Sequence, residues 1–189
     1  MTAQAPPAKL SDEYEGRTGA VLARVQALYP KLIDLSLDRL RALLDKLGNP
    51  ERGLPPVIHV AGTNGKGSTC ATLRAIAEAA GWSVHVMTSP HLVDVTERFR
   101  IAGKLVSEDA LVAALEEIER INAGHPITVF EVLTAAGLLL FARNRLIWSF
   151  LKSVWADDWM PPMWWPGLRL ASSPPLIWII RRFWATRWP

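Results

Sequence analysis

Apolar positions along the chain keep two different rhythms. At spacings of three and four they recur over 19–28 (Val21, Leu22, Val25, Leu28), over 37–47 (Leu37, Leu40, Leu43, Leu44, Leu47) and over 108–122 (Leu111, Val112, Leu115, Ile118, Ile121). That period predicts three amphipathic helices with those faces turned inward. Ser36 and Ser107 stand where an N-cap is wanted, and Gly48, Asn49 and Pro50 stop the second helix. Residues 130–143 are apolar nearly all round, which predicts a buried helix; Thr128 and Glu131 precede it at the spacing of a capping box. It is too short, and too soon interrupted by Arg143 and Arg145, to span a bilayer. The second rhythm is shorter. Val57, Ile58 and Val60 form a β-branched run that suits a buried strand, and 83–88 (SVHVMT) alternates like another. Residues 98–101 and 104–106 flank Ala102 and Gly103 as a small hairpin. Strands alternating with helices predict an α/β fold with a parallel sheet flanked by helices.

The first strand runs into a turn with its own chemistry. Gly62, Gly65 and Gly67 fall within six residues, Lys66 lies between the last two, and from Ser68 the pattern turns helical (Ala71, Leu73, Ile76, Ala77, Ala80). Glycines let backbone N–H groups point inward with no Cβ in the way. The new helix offers unpaired N–H groups and a positive dipole end to phosphate. Lys66 reaches the β- and γ-phosphates in such an arrangement, and a hydroxyl from Ser68 or Thr69 faces Mg²⁺. The spacing departs from the usual Walker pattern: Val60 rather than glycine stands five residues before Gly65, and Gly67 separates Lys66 from Ser68. The alternative is an ordinary βα turn that carries a lysine. Three glycines around one lysine between strand and helix favour phosphate binding. Ligands of such sheets sit at the strands' carboxyl ends, where 62–68 and Ser89 both fall.

Composition adds limits. Half of the 189 residues are hydrophobic and 21% are charged, the balance of a globular chain. The single cysteine, Cys70, excludes a disulfide framework and fits a reducing compartment; it reads as a small helix residue. Residues 1–18 lack the apolar core of a signal peptide, so a flexible leader and a cytoplasmic protein are expected. The net charge of +3 is uneven. Residues 145–189 hold six basic and two acidic side chains of the totals of 21 and 18, leaving fifteen and sixteen in 1–144. A near-neutral body gives no case for nucleic acid. The tail also holds eight of the nine tryptophans and shows no usable period, where a further buried strand would be expected. Its stretch LIWIIRRFW is a candidate interfacial membrane segment.

The stretch AGTNGKGST resembles the phosphate loop of the Mur-ligase superfamily, and within it of the folylpolyglutamate synthase / dihydrofolate synthase family. IDLSLDRLRALLDKLGNPE upstream, and MTSPHL, TERFRI and TVFEVLTAAG downstream, are similar to family motifs in the family's order, covering about 29–143. Read one base out of frame, 149–165 yields ILEVGLGGRLDATNVV and 172–180 yields ITPIDLDH, which resemble the family's next motifs. The tail 145–189 is therefore expected to be an out-of-frame translation, beginning near Asn144 or Arg145, behind a partial ATP-binding domain at 19–144.

The resemblance implies an ATP-dependent ligase that joins L-glutamate to dihydropteroate or a folate through an acyl phosphate, with ATP and Mg²⁺ as cofactors. It implies a monomer acting on small molecules, with no nucleic acid and no membrane as partner. Carried over by motif, Gly62, Thr63, Asn64, Gly65, Lys66, Gly67, Ser68 and Thr69 hold ATP phosphates, with Lys66 neutralising developing charge. Ser89 is then a Mg²⁺ ligand, its alternative a turn serine before Pro90; Leu35, Phe130 and Glu131 line the pteridine pocket, and Glu131 keeps its capping role. His91 falls in the substrate-covering loop. The second metal site, a modified lysine and the C-terminal domain of the family have no in-frame counterpart. The alternative expectation is thus an inactive truncated fragment that keeps only the phosphate-binding loop.

Overall fold

The structure, a computed structural model, describes residues 16–29, 37–54, 57–60, 64–144 and 148–152. Ten elements matter here. Helices α1 (Gly16–Leu28) and α2 (Asp38–Lys46) lead to strand β1 (Val57–Val60), helix α3 (Lys66–Ala79) and strand β2 (Val84–Met87). The short strands β3 (Phe99–Ile101) and β4 (Lys104–Leu105) follow, then helices α4 (Glu108–Asn122) and α5 (Val129–Arg143), then strand β5 (Trp148–Lys152). The strands form one sheet in the order β1-β5-β2-β3-β4. β5 pairs in parallel with both β1 and β2, while β3 is antiparallel to β2 and to β4. The fold is α/β as expected, with an antiparallel hairpin added at one edge of the parallel strands.

Strand alternation sorts side chains onto the two faces of the sheet. Val84 and Val86 of β2 pack with Ala77 and Leu73 of α3 and with Ile58 of β1. His85, between them, and Met87, after them, turn the other way: Met87 packs toward Val57 and Phe141, and the His85 ring stacks on that of Phe141. α3 therefore covers one face, and α5 the other. Around α5 lie α1, α2 and α4, whose Leu22, Leu40, Leu43, Leu111, Leu115 and Ile118 join Leu138 and Phe99 in the main core. Burying each such leucine or phenylalanine stabilises the fold by about 1.5–3 kcal/mol relative to exposure. Twelve residues of α5 are buried, so its all-round apolar sequence has its reason. Thr128 and Glu131 form the expected capping box at its start, and the Ser107 side chain caps α4.

Several expectations change. α1 begins at Gly16, inside the stretch expected to be leader, with Thr18 buried. Ser36 lies outside the described residues; the residue before α2 is Leu37, which makes no side-chain cap. α3 starts at Lys66 rather than Ser68, and its inward face is Cys70, Leu73 and Ala77. Ile76 is 62% exposed and Ala71 and Ala80 are also exposed, because a single sheet face covers only a narrow stripe of the helix. The missing strand is the largest correction: β5 arrives at Trp148–Lys152, in the stretch read as lacking one. Its place follows from backbone accounting. β1 and β2 each offer a ladder edge toward the gap between them, and a strand there satisfies both. The rest of the tail, including its candidate membrane segment, lies outside the described residues. No helix among the described residues is long and apolar enough to cross a membrane.

Candidate functional site

Because β1, β5 and β2 run parallel, their carboxyl ends share one edge of the sheet. Val60 leads from that edge into the glycine turn, and Met87 leads into Thr88 and Ser89. Gly62 and Thr63 fall outside the described residues. Asn64 is exposed in a bend, and Gly65 follows in the left-handed conformation (φ +74°) as the N-cap of α3. A side chain there would be strained, and a Cβ at Gly65 or Gly67 would meet no described atom within 4 Å. The turn is thus open where a bulky anion would approach the backbone.

The first turn of α3 carries no side-chain cap among the described residues, and no acidic residue stands in that turn to occupy the positive end of the helix. The first N–H bonded within the helix is that of Thr69, which donates to the Gly65 carbonyl at 2.9 Å. The Thr69 hydroxyl donates to the same oxygen at 2.9 Å, so its proton is committed and its oxygen keeps acceptor lone pairs. Lys66 is half-buried at the first helical position and Ser68 is exposed. Ser89 is buried, 4% exposed, beyond the end of β2. The hydroxyls of Ser68, Thr69 and Ser89 are hard oxygen donors, which suit a Mg²⁺ shared with phosphates. Among the described residues no group of three or more His, Cys, Asp or Glu could hold a metal ion on its own. The set fits Mg²⁺ brought by a nucleotide.

After Ser89, joined to Pro90 by a cis peptide, the chain makes a tightly bonded loop. Its base is closed by the Thr88 N–H donating to the Arg98 carbonyl at 2.9 Å. Glu97 accepts the N–H groups of Leu92, Val93 and Asp94, each at 2.9 Å. Those backbone donors, Leu92 first, hold its carboxyl below the usual range. Asp94 and Glu97 make a capping box around the short turn Val95–Arg98. The Arg98 Nε–H donates to His91 Nδ1 at 2.9 Å, which leaves the neutral ring's proton on Nε2.

The pocket residues implied by resemblance divide. Leu35 lies outside the described residues. Phe130 and Glu131 stand in the first turn of α5, Phe130 half-buried and Glu131 fully buried. Glu131 Oε2 accepts from the Thr128 N–H at 2.8 Å, the Thr128 hydroxyl at 2.8 Å and Arg39 Nε at 3.2 Å. Its Oε1 is buried with no hydrogen-bond partner among the described residues. The direction of α5 locates this turn. Phe141 stacks on His85 and Gly137 lies against Met87, so α5 runs antiparallel to β2. Residue 130 then lies roughly 10 Å beyond Met87, at 1.5 Å per residue, toward the carboxyl edge that carries Ser89 and the glycine turn.

Sequence reasoning passed over three residues. Arg39 pairs with Glu131 across 92 positions and sends no local signal. Glu97 stands three after Asp94, a capping-box spacing that was there to be found. His85 hid within an alternating strand. It is fully buried; its Nδ1 accepts the Ala102 N–H at 3.3 Å and its Nε2 donates to the Asn144 carbonyl at 2.5 Å. Desolvation lowers its pKa, with the Asn144 hydrogen bond opposing.

No protein-family model matches the chain. A curated relative from Escherichia coli (strain K12), dihydrofolate synthase/folylpolyglutamate synthase, is 43% identical over 125 residues, 66% of this chain and 29% of its own length. A solved structure described as E. coli FolC in complex with DHPP and ADP superposes with a TM-score of 0.67 at 41% identity, covering 71% of this chain and 32% of that one. Another, a bifunctional folylpolyglutamate synthase/dihydrofolate synthase with Mn, AMPPNP and L-glutamate bound, gives 0.64 at 37% identity over 71% and 32%. The chain thus spans about a third of the length of the relatives it matches.

Proposed function

We infer, for a chain that belongs to the folylpolyglutamate synthase / dihydrofolate synthase family of the Mur-ligase superfamily and carries its N-terminal part, that this part is the MgATP and acceptor half of an ATP-dependent ligase. The observation that carries the reading is the left-handed Gly65 at the N-cap of α3, opening a helix whose first residue is Lys66, at the same sheet edge as Ser89. Residues Gly62, Thr63, Asn64, Gly65, Lys66, Gly67, Ser68 and Thr69 hold the ATP phosphates. The backbone amides supply fixed dipoles, and Lys66 supplies a point charge that offsets the negative charge spread over the transferring phosphoryl group. Mg²⁺, held through Ser89 and a hydroxyl of the first turn, adds charge neutralisation when bound.

The acceptor, dihydropteroate or a folate, lies along Phe130 and Glu131 with Leu35. A carboxylate is inert to amines until one oxygen becomes part of a leaving group. Its oxygen therefore attacks the γ-phosphorus and ADP leaves; the glutamate amine then attacks the acyl carbon, phosphate leaves, and the amine proton is lost to give the amide. The work of this half is to hold carboxylate and γ-phosphate in line. Small molecules are its partners, and a monomer in the cytoplasm is the expected form. The reading is tested by ADP release that depends on both dihydropteroate and glutamate. Release without glutamate dependence, or none from the intact coding frame, overturns it.

A second reading concerns the 189-residue chain itself: residues 145–189 are an out-of-frame translation, and the polypeptide as written keeps phosphate binding without turnover. The observation favouring it is the neighbouring-frame string ILEVGLGGRLDATNVV across 149–165, family-like over its whole length. Resequencing the coding DNA from about codon 130 decides it. One base gained or lost near codon 144 supports the reading, and an unchanged frame contradicts it.

A further inference from the structure

The two sides of the sheet end differently. One side ends in β4, two exposed residues long, with Lys104 in it and the tight turn of Ala102 and Gly103 before it. A short, charged, exposed strand is an ordinary way to close an edge against further pairing. The other side ends in β1, which among the described residues pairs with β5 alone. It has none of those devices. Its residues, Val57–Val60, include no proline, glycine, Lys, Arg, Asp or Glu, and Val57, His59 and Val60 are buried. A run so apolar, with no polar alternation, is the pattern of a strand from the interior of a parallel sheet. β1 thus has the make-up of a central strand in the position of an edge strand.

α3 extends the same surface. Leu73 and Ala77 face the sheet, against Ile58 and the valines of β2. Glu78 leans toward the hairpin on the far side, where a Cβ on Gly103 would lie 3.5 Å from its Oε1. At 3.6 residues per turn, Thr72, Ile76 and Ala80 occupy the opposite flank of the helix, the one on the β1 side. All three are exposed, Ile76 at 62%, and none carries a charge. A strand edge with no described neighbour and an uncharged helix flank therefore lie side by side.

We propose that this surface is where two copies of the 189-residue chain meet, β1 against β1 in antiparallel sense about a two-fold axis. A foreign partner would have to bring an open strand of its own, whereas a second copy brings one by construction. Antiparallel pairing of two identical edges satisfies both and closes, so assembly stops at the dimer. The two helix flanks approach with no like charges to oppose them, and Ile76 gains cover that it lacks in the single chain. Four residues of ladder and one helix flank make a small interface, so the dimer is weak and concentration-dependent. Such a dimer belongs to the chain as written. It does not depend on the ligase reading, under which the longer, complete protein is expected to be a monomer.

Sedimentation velocity of the 189-residue chain, from low to high micromolar concentration, reads the association, and amide hydrogen exchange at 57–60 reads the edge. The expected result is a monomer–dimer equilibrium in which the outward-facing amides of β1 exchange about tenfold more slowly where the dimer predominates. Ile76→Lys and Ile76→Glu each set like charges across the two-fold axis, and each is expected to weaken association about fivefold. An equimolar mixture of the two variants is expected to restore it. Both changes fall at an exposed site, and unchanged circular dichroism shows that each variant is folded. A chain that stays monomeric throughout overturns the proposal. Fast exchange at 57–60 would then mean an edge left open, and slow exchange at every concentration an edge covered from within the chain. A dimer that neither variant weakens, or that leaves exchange at 57–60 unchanged, forms elsewhere and overturns it too. Growth beyond the dimer contradicts the closed two-fold pairing.

Discussion

Replacing Glu131 by alanine is the most informative single perturbation of the fold. Its carboxylate is fully buried and its Oε2 serves three donors: the Thr128 N–H, the Thr128 hydroxyl and Arg39. Alanine removes the reciprocal half of the capping box, which costs about 1 kcal/mol by itself. It also removes the ion-pair partner of Arg39, whose side chain is only 19% exposed and whose guanidinium lies over the Tyr29 ring. Removing one partner of a buried pair typically costs about 3–5 kcal/mol, and the capping loss is part of that figure because one oxygen serves both. An overall loss of about 3–5 kcal/mol is expected. Gln keeps an acceptor for Thr128 and loses the charge, so about 1–3 kcal/mol is expected there. α5 sits at the centre of the main core, so the loss is global rather than a local fraying. Urea unfolding followed by circular dichroism measures it, with the transition midpoint shifting at constant slope. The pair can then be replaced together: Arg39→Met with Glu131→Leu removes both charges and is expected to recover most of the stability lost in Glu131→Ala. A single variant within 1 kcal/mol of wild type, or a double variant no better than the single, would refute the buried-pair account.

Two further outcomes follow from the packing and the charges. A Cβ at Gly137 would lie 2.7 Å from Met87 Sδ and 3.0 Å from Phe99 Cε1, so Gly137→Ala is expected to destabilise by about 1–3 kcal/mol through overpacking; Met87→Ala in the same chain should relieve part of it in thermal melts. Burial depresses the His85 pKa, so the unfolded chain binds the proton more readily. Stability is then complete above the unfolded value of about 6.5 and is lost as pH falls from there toward the folded value. Melts between pH 8 and 5 should show that slope, and His85→Asn should reduce it; a slope of opposite sign, or one that the variant leaves unchanged, contradicts the neutral, doubly bonded ring.

Local signals were the legible ones. The β-branched run at Val57–Val60, the capping box at Thr128 and Glu131 and the leucine stripes of α2 and α4 each lie within a few residues, and each appears in the structure where expected. The alanine-rich helix α3 was read too generously. Alanine is at home on either face of a helix, so Ala71 and Ala80 could not say which side meets the sheet, and Ile76 ended in solvent. β5 was hidden for a different reason. Nothing in its own pattern asks for a central parallel strand; its place comes from the open ladder edges of β1 and β2 and from the short link after α5. The Arg39–Glu131 pair was equally illegible, because only tertiary packing brings α2 to the start of α5. At the site, a glycine before the lysine at the start of α3 could be read from types and spacing, and Gly65 takes the left-handed conformation there. The Glu97 anchor also lay within six residues, but a capping spacing inside a loop of mixed polarity is easily taken for ordinary turn chemistry.

The central claim is that the turn before α3 holds nucleotide phosphates through backbone amides and Lys66. Titration calorimetry of the 189-residue chain with MgATP, alongside Lys66→Ala, tests it most directly. The account expects one-to-one binding that weakens at least tenfold in the variant, a difference of about 1.4 kcal/mol or more, with the thermal stability of the free chain unchanged. A folded wild-type chain that gives no binding signal at millimolar MgATP, or binding that Lys66→Ala leaves intact, would contradict it.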